Sequence, residues 1–406
     1  MSDLTVRRAT PEDRDMIRLV DARAYGITFE DEEKAVEPSV DVFDDPYGLV
    51  GTVDGKVVGA SAAYALEVSV PGGTPIPASG VTSVAILPTH RRQGVMRALL
   101  TEQLQQMRAD AMPVATLTAS EATIYGRFGF GRIARSAKRT IHTARVEFRP
   151  EFKPVGCVRF VDVEEARVVF PGVHDRYRVG VPAMMKMPPR VWSRIFADYP
   201  DDRGGASDRV HVVHEIDGVV DACATYRVAD RSTELGADHF VKVALAFGVD
   251  WHAELELWRF LTSLDLVRTV DAHRPVDDFL DWSLIDMRAL DSRSITDHNW
   301  GRILDPIKVF EARGYPVDAI VTVGLIDDVF DDLTGSYRIV VDGGRATCER
   351  VDVEPDATAN IADWASIFFG EVDPRALLAA GRLTGEAGLV KQFFATDRAP
   401  FNDVYY

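Results

Sequence analysis

The chain reads as an α/β (α+β) protein of three domains, and three observations carry that reading. Residues 81–100 pass from an apolar run, Val81 to Leu87, through a basic, Gly-containing turn straight into a helical apolar pattern. An Asp-Gly hairpin signal occurs twice, at Asp54-Gly55 and Asp217-Gly218, each between apolar runs. The length of 406 residues exceeds one ordinary domain, and 46% apolar residues is enough for more than one core.

The elements follow in order. Leu4 to Arg8 is a short strand. Thr10-Pro11-Glu12-Asp13 is a helix start, with Thr as cap, Pro at the first helical position and acids in the first turn. Met16, Leu19 and Val20 supply that helix's buried face. Leu49 to Val53 and Val57 to Val70 form a hairpin across Asp54-Gly55, with a type I′ turn. Pro71-Gly72-Gly73 is a loop, and the strand 81–87 stops at Pro88. The helix after Gly94 buries Met96, Leu100, Leu104 and Met107. The strand Val114 to Leu117 and a short helix around Ile124 to Phe128 close the first domain, 1–150.

The Pro-containing charged stretch 147–154 marks a boundary. The second domain, 151–295, repeats parts of the first. Val212 to Val220 is a strand–Asp-Gly–strand hairpin, Phe240 to Phe247 the central strand, and Trp251 to Leu264 the helix after it. The joining turn is Gly248-Val249-Asp250, with no arginine and with an acid at the anion site. The alternative is a chance likeness of hairpins. The third domain, 296–406, starts with a helix at Ile307 to Glu311. Strands at Ala319 to Ile326 and Ser336 to Val341 follow, then a turn at Asp342-Gly343-Gly344 and three apolar helical stretches. Gly381-Arg-Leu-Thr-Gly385 with its preceding helix resembles the sterol carrier protein fold, and the domain is read as structural.

A net charge of −17 argues against nucleic acid and anionic membranes as partners, since both need positive patches. It suits a cationic substrate, or solubility alone. No stretch approaches the ~20 apolar residues of a membrane span, and the N-terminal residues lack an apolar signal region, so a cytoplasmic location is expected. Cys157, Cys223 and Cys348 are too scattered for a disulfide framework or a zinc site. His211 and His214 fall on opposite faces of a strand, so no metal is expected there.

The turn Arg91-Arg92-Gln93-Gly94 between strand and helix has the chemistry of an anion trap. Free N–H groups of a first helical turn point outward, the helix dipole adds positive charge, and Gly94 lets a bound group approach the backbone. An ordinary strand–turn–helix with surface arginines is the other reading. There is no G-x-x-x-x-G-K-[ST] and no G-x-G-x-x-G, which sets aside P-loop and dinucleotide folds. Arg-x-x-Gly-x-(small) resembles the acyl-CoA pyrophosphate loop of the GNAT N-acetyltransferases. Met96 departs from it, standing where many members carry Gly or Ala.

A second window, Thr118-Ala-Ser-Glu-Ala-Thr-Ile-Tyr-Gly-Arg-Phe-Gly-Phe130, places Tyr125 one turn into a short helix that Ser120 or Thr118 can cap. Tyr125 is suited to donate a proton, because a phenol of pKa ~10 stays protonated at neutral pH; packing against Phe128 and Phe130 is the alternative role. Pro88-Thr-His-Arg-Arg-Gln-Gly94, Ser120-Glu121, Ile124-Tyr-Gly-Arg-Phe-Gly129 and Glu311-Ala-Arg-Gly-Tyr315 together resemble the Eis (enhanced intracellular survival) family of actinobacterial acetyltransferases. Length and domain order agree.

That resemblance implies two tandem GNAT-like domains, the second degenerate, and a C-terminal sterol-carrier-protein-like domain. It implies acetyl-CoA as co-substrate, held by the backbone of Val84, Ala85 and Ile86, by Arg92, Gln93, Gly94, Val95, Met96 and Arg97 around the pyrophosphate, and by Ser120 and Glu121. Tyr125 would be the general acid and the α-carboxylate of Tyr406 the general base. Relatives can carry an acid where Tyr405 stands and a histidine where Thr118 stands, and both departures bear on substrate range. The expected reaction is direct transfer to an amine in a ternary complex, with no covalent acyl-enzyme and no metal. The substrate classes are aminoglycosides or polyamines, with protein lysines or N-termini as the alternative. A non-catalytic acyl-CoA or lipid sensor is the rival of another class. The resemblance also implies a homohexamer.

Overall fold

A computed structural model describes residues 3–26, 45–234 and 236–405. They form two units: residues up to 133 with 299–396, and residues 134–298 with 397–405. Among the described residues no helix is long and apolar enough to cross a membrane.

In the first unit, β1 (Leu4–Arg8) pairs antiparallel with β2 (Leu49–Val53). Pro11 opens the turn into α1 (Arg14–Tyr25), and the Asp13 carboxylate accepts the Thr10 N–H at 2.9 Å. Ile17 and Val20 are the buried stripe of α1, while Met16 and Leu19 are half-buried, so the sheet meets a stripe shifted from the expected one. The hairpin of β2 and β3 (Lys56–Val68) turns on Asp54 and Gly55, with φ of 49° and 76°, the two left-handed conformations of a type I′ turn.

β3 pairs with β4 (Ile76–Ile86), and a turn leads into α2 (Val95–Ala109). β4 starts earlier than expected because Ile76 to Gly80 pair with Val68 to Tyr64. The buried face of α2 is Val95, Leu99, Leu100, Gln103, Leu104 and Met107; Met96 turns out to be half-buried. The Gln103 side chain there donates to Tyr47 O at 2.9 Å, so this polar core residue is satisfied. β5 (Val114–Leu117) runs parallel to β4 over Ala78 to Val81. α3 (Ala122–Tyr125) passes into a 3₁₀ turn that ends at Gly129.

The second unit begins within β6 (Gly131–His142). It continues with β7 (Cys157–Val161), α4 (Val163–Arg178), α5 (Pro189–Phe196), β8 (Val210–Ile216), β9 (Val219–Asp230), β10 (His239–Gly248), α6 (Trp251–Thr262), β11 (Val267–Arg274), α7 (Leu280–Ser283) and β12 (Leu290–Ile303). The strand order is β6-β11-β10-β9-β8-β7. The expected repeat is present as topology. Asp217 and Gly218 turn at φ 51° and 78°, β9 and β10 are antiparallel, and β10 and β11 are parallel, as β3, β4 and β5 are in the first unit. Trp258, Leu257, Leu261, Val241 and Val270 centre its core.

The chain returns to the first unit at Asn299. Trp300 to Ile303 of β12 pair antiparallel with Leu117 to Val114 of β5. Then come α8 (Pro306–Ala312), β13 (Ile320–Ile326), β14 (Gly335–Asp342), β15 (Arg345–Val351), β16 (Ala357–Asn360), α9 (Ile361–Phe369), α10 (Pro374–Ala379), β17 (Leu383–Gly385) and α11 (Ala387–Phe393). They build a separate sheet, β15-β14-β13-β16-β17. The Glu311-Ala-Arg-Gly-Tyr315 motif has a structural use here. The buried Arg313 guanidinium donates to Phe368 O (3.0 Å) and Phe394 O (2.7 Å), closing the carbonyl ends of α9 and α11.

Candidate active site

The basic turn is shaped by two left-handed residues, Arg92 (φ 63°) and Gly94 (φ 86°). Gly94 is the N-cap of α2 and provides no side-chain acceptor. The first helical bond in this turn is Ala98 N–H to Gly94 O at 3.0 Å. Among the described residues, the N–H groups of Val95, Met96 and Arg97 therefore have no partner, as expected for the first turn of a fifteen-residue helix. Arg91, Arg92, Gln93 and Arg97 are exposed around them, and Gln93 reaches back to Thr89 O at 3.3 Å.

The neighbouring strand offers backbone. β4 and β5 pair only as far as Val81 and Leu117, so residues 82–86 extend beyond the last bond to β5. Leu87 N–H turns to Val58 O at 2.8 Å. Strand alternation then points the N–H of Ile86 and the backbone of Val84 to the opposite edge, with Ala85 between them opposite Ala60. Ser83 at φ 50° sits at a register shift in this stretch, and such irregularities re-aim a strand.

Tyr125 is 6% exposed and meets Phe130 edge-on at 6.1 Å between centroids. Burial pushes its phenol above the ordinary range, opposed by a hydrogen bond with the Ser120 side chain. The phenol therefore holds its proton at neutral pH. Ser120 does not cap the helix, contrary to expectation. The N-cap of α3 is Glu121, without a side-chain cap bond, and neither Ser120 nor Thr118 takes that place. Ser120 is thereby left to the phenol. Glu121 is exposed.

One residue that the sequence left unmarked connects these parts. The Tyr25 hydroxyl, at the end of α1, donates to Val84 O at 3.1 Å. Partial burial, then Asp21, then Tyr125 push its phenol up, which places Tyr25 and Tyr125 in one neighbourhood. Helix α1, the free edge of β4 and the Tyr125 phenol thus converge. A tyrosine closing a helix has no motif around it, so nothing local announced it. Tyr406 lies outside the described residues. The residues before it are anchored within the second unit: Phe401 N–H donates to Pro182 O at 3.0 Å, and Asp403 meets His174 at 3.3 Å.

The second copy differs at the equivalent helix end. The Asp250 carboxylate accepts the N–H groups of His252 and Ala253, both at 2.9 Å. The helix terminus that is open in α2 is filled in α6 by the chain's own anion. His211 and His214 have separate partners, Thr225 (2.8 Å) and Asp221 (2.6 Å).

Comparison with known proteins adds a second line. Residues 5–133 and 183–303 match two family models, each described as an acetyltransferase (GNAT) domain, and residues 307–402 match a sterol carrier protein domain. An uncharacterised N-acetyltransferase of Streptomyces avermitilis is 33% identical over 341 residues, 82% of each chain. The N-acetyltransferase Eis of Mycobacterium tuberculosis is 30% identical over 352 residues, 84% of each chain. The crystal structure of Eis1 from Mycobacterium abscessus superposes with a TM-score of 0.85 at 24% identity, covering all of both chains.

Proposed function

We propose, for a chain that belongs to the Eis family of N-acetyltransferases, that it moves the acetyl group of acetyl-CoA directly onto an amine of a cationic substrate, of the aminoglycoside or polyamine type. The observation that carries this is the open N-terminus of α2 and a strand edge that β5 has left, the latter bonded by Tyr25, whose phenol feels the charge of Tyr125 nearby. Acetyl-CoA fits such a surface. Its pyrophosphate needs N–H donors and cations, which Val95 to Arg97 and the exposed Arg91, Arg92 and Arg97 supply. Its pantetheine amides can bond the turned-out backbone of Ile86 and the N–H of Val84, whose carbonyl already accepts from Tyr25.

The chain's own groups then divide the reaction. Arg92, Gln93, Gly94 and the first turn of α2 hold the pyrophosphate. Ile86 N–H, or a neighbour on the free edge, polarises the thioester carbonyl. The substrate amine gives its proton to the α-carboxylate of Tyr406, and its nitrogen bonds to the carbonyl carbon. The carbon–sulfur bond breaks, and Tyr125 supplies the proton that the departing thiolate takes. The raised phenol favours this assignment, since a tyrosine that ionised early would have no proton to give. No nucleophilic side chain is required. The net charge of −17 supports a cationic acceptor through long-range attraction. The assembly proposed with this reading is a homohexamer, which sedimentation equilibrium tests.

The experiment is thiol release from acetyl-CoA against a panel of aminoglycosides, polyamines, lysine peptides and arylalkylamines. The intact chain is run beside one extended by a few residues after Tyr406. Turnover with the cationic small molecules, abolished by the extension, is the expected result. Turnover confined to lysine peptides would shift the substrate to proteins. Turnover that survives the extension would remove the terminal carboxylate as base. Acetyl-CoA binding without turnover on any amine would make the protein a sensor.

A further inference from the structure

We propose that Arg302 and Asp327 are positioning residues for Tyr125, so that the sterol-carrier-like domain sets the geometry of the general acid. The inference rests on the reading of Tyr125 given above. Its starting point is that α3 cannot hold itself. It has four residues and no side-chain cap, and helices that short are not stable alone. The chain then makes a 3₁₀ turn and leaves it at Gly129, whose φ of 78° is left-handed. Whatever rests against Gly129 therefore sets the orientation of the turn that bears Tyr125.

The group that rests there is a guanidinium. A Cβ built on Gly129 would lie 2.0 Å from Arg302 Nη1 and 2.6 Å from Arg302 Cζ. The side chain that any other residue would have here is replaced by the arginine head. Arg302 comes from β12, opposite Ala115 of β5, so it is held by the sheet beneath the turn. Its side chain is 0% exposed, and so is that of Asp327, to which Nη2 bonds at 2.5 Å. Among the described residues the Nε and Nη1 atoms have no hydrogen-bond partner. Asp327 is therefore its one ionic partner among the described residues, and together with the Phe330 face it sets where the guanidinium points.

Asp327 is itself rigid. Its Oδ1 accepts Val329 N–H at 2.9 Å and Phe330 N–H at 3.1 Å, while Oδ2 is committed to Arg302. The Phe330 ring lies 5.3 Å from the Arg302 guanidinium carbon and 4.4 Å from that of Arg108. Arg108, in α2, is also bonded twice to Asp332. The loop after β13 thus grips two elements of the first unit: the helix whose N-terminus is the anion trap, and the strand beneath the Tyr125 turn. A buried ion pair is a poor source of net stability, but it is a directional one. A directional contact suits a phenol that must meet a thiolate within hydrogen-bond reach.

The test is a double-mutant cycle in the full chain, using Asp327→Asn and Tyr125→Phe. Asparagine keeps an acceptor for Val329 and Phe330 and removes the charge that orients Arg302. Asp327→Asn is expected to lower kcat by about tenfold to a hundredfold, the scale of a misplaced catalytic group, with KM for acetyl-CoA unchanged. In the Tyr125→Phe background it should lower kcat no further, because the proton donor it positions is gone. An equal loss in both backgrounds would overturn the proposal and make the pair a general prop. Tyr125→Phe with full kcat would instead sink the acid assignment, and this inference with it. If Asp327→Asn does not fold, Arg302→Lys serves in its place. Lysine keeps the charge for Asp327 but withdraws the planar head from Gly129, and the same non-additivity with Tyr125→Phe is required.

Discussion

The Asp250 carboxylate accepts the Ala253 N–H at 2.9 Å, at a helix end that Gly94 leaves open in the first copy of the fold. One acid therefore separates a helix terminus that can receive a phosphate from one already satisfied. The prediction is a stoichiometry of one acetyl-CoA per chain by titration calorimetry. An acid at the same cap, as Gly94→Asp, strains the left-handed turn and sets a negative charge against the pyrophosphate, so it should raise KM for acetyl-CoA more than tenfold. Two acetyl-CoA molecules per chain would contradict the account of α6.

Tyr125 is buried and its phenol is raised. Tyr125→Phe is expected to lower kcat by about a hundredfold or more, the usual contribution of a general acid, with acetyl-CoA affinity unchanged. Because burial raises the phenol, activity should show no alkaline decline from this group below pH ~10. A decline near pH 8 that disappears in Tyr125→Phe would mean that the phenol is not held protonated.

In the second unit Arg274 is buried between two acids, bonded to Glu254 and, at 2.7 Å, to Asp278. Replacing Arg274 by Met leaves two buried carboxylates without their cation. The expected loss is about 3–5 kcal/mol, read by denaturant unfolding of the second unit. A change under 1 kcal/mol would show that water reaches the acids.

His298 is 4% exposed, its Nε2 has no partner among the described residues, and the Tyr405 ring stands 4.5 Å away. Burial pulls its imidazole down to about 4, against the opposing pull of Asp403. A folded value below the unfolded ~6.5 means full stability above pH 6.5, lost as pH falls toward 4 and amounting to about 3 kcal/mol. Amide exchange in residues 397–405 should quicken between pH 6.5 and 4.5. His298→Phe should flatten that dependence; an unchanged slope would assign it to another group.

Much of the candidate site's local structure was legible because its parts are local. The proposed anion trap is a strand end, a basic turn, a glycine and a helix start, all within 81–100, and each is shaped by its neighbours in sequence. Asp54-Gly55 and Asp217-Gly218 announced the repeated hairpins, because only certain residues take two successive left-handed conformations. Met96 was misplaced on its helix because periodicity names a stripe but not the angle at which the sheet meets it. Ser120 suggested a helix cap, and the fold turned it to Tyr125 instead.

The linear pattern of residues determined the elements, the order of two acetyltransferase domains and a sterol-carrier-like domain, and the turn that can receive an anion. These follow from dihedral preference and hydrophobic period, which act over a few residues. Tertiary structure alone decided that Tyr25 bonds Val84, 59 positions away, and that Arg302 occupies the space above Gly129 while paired to Asp327. Such contacts carry no local signature, since a buried ion pair or a missing Cβ acquires meaning only from what the rest of the chain brings against it.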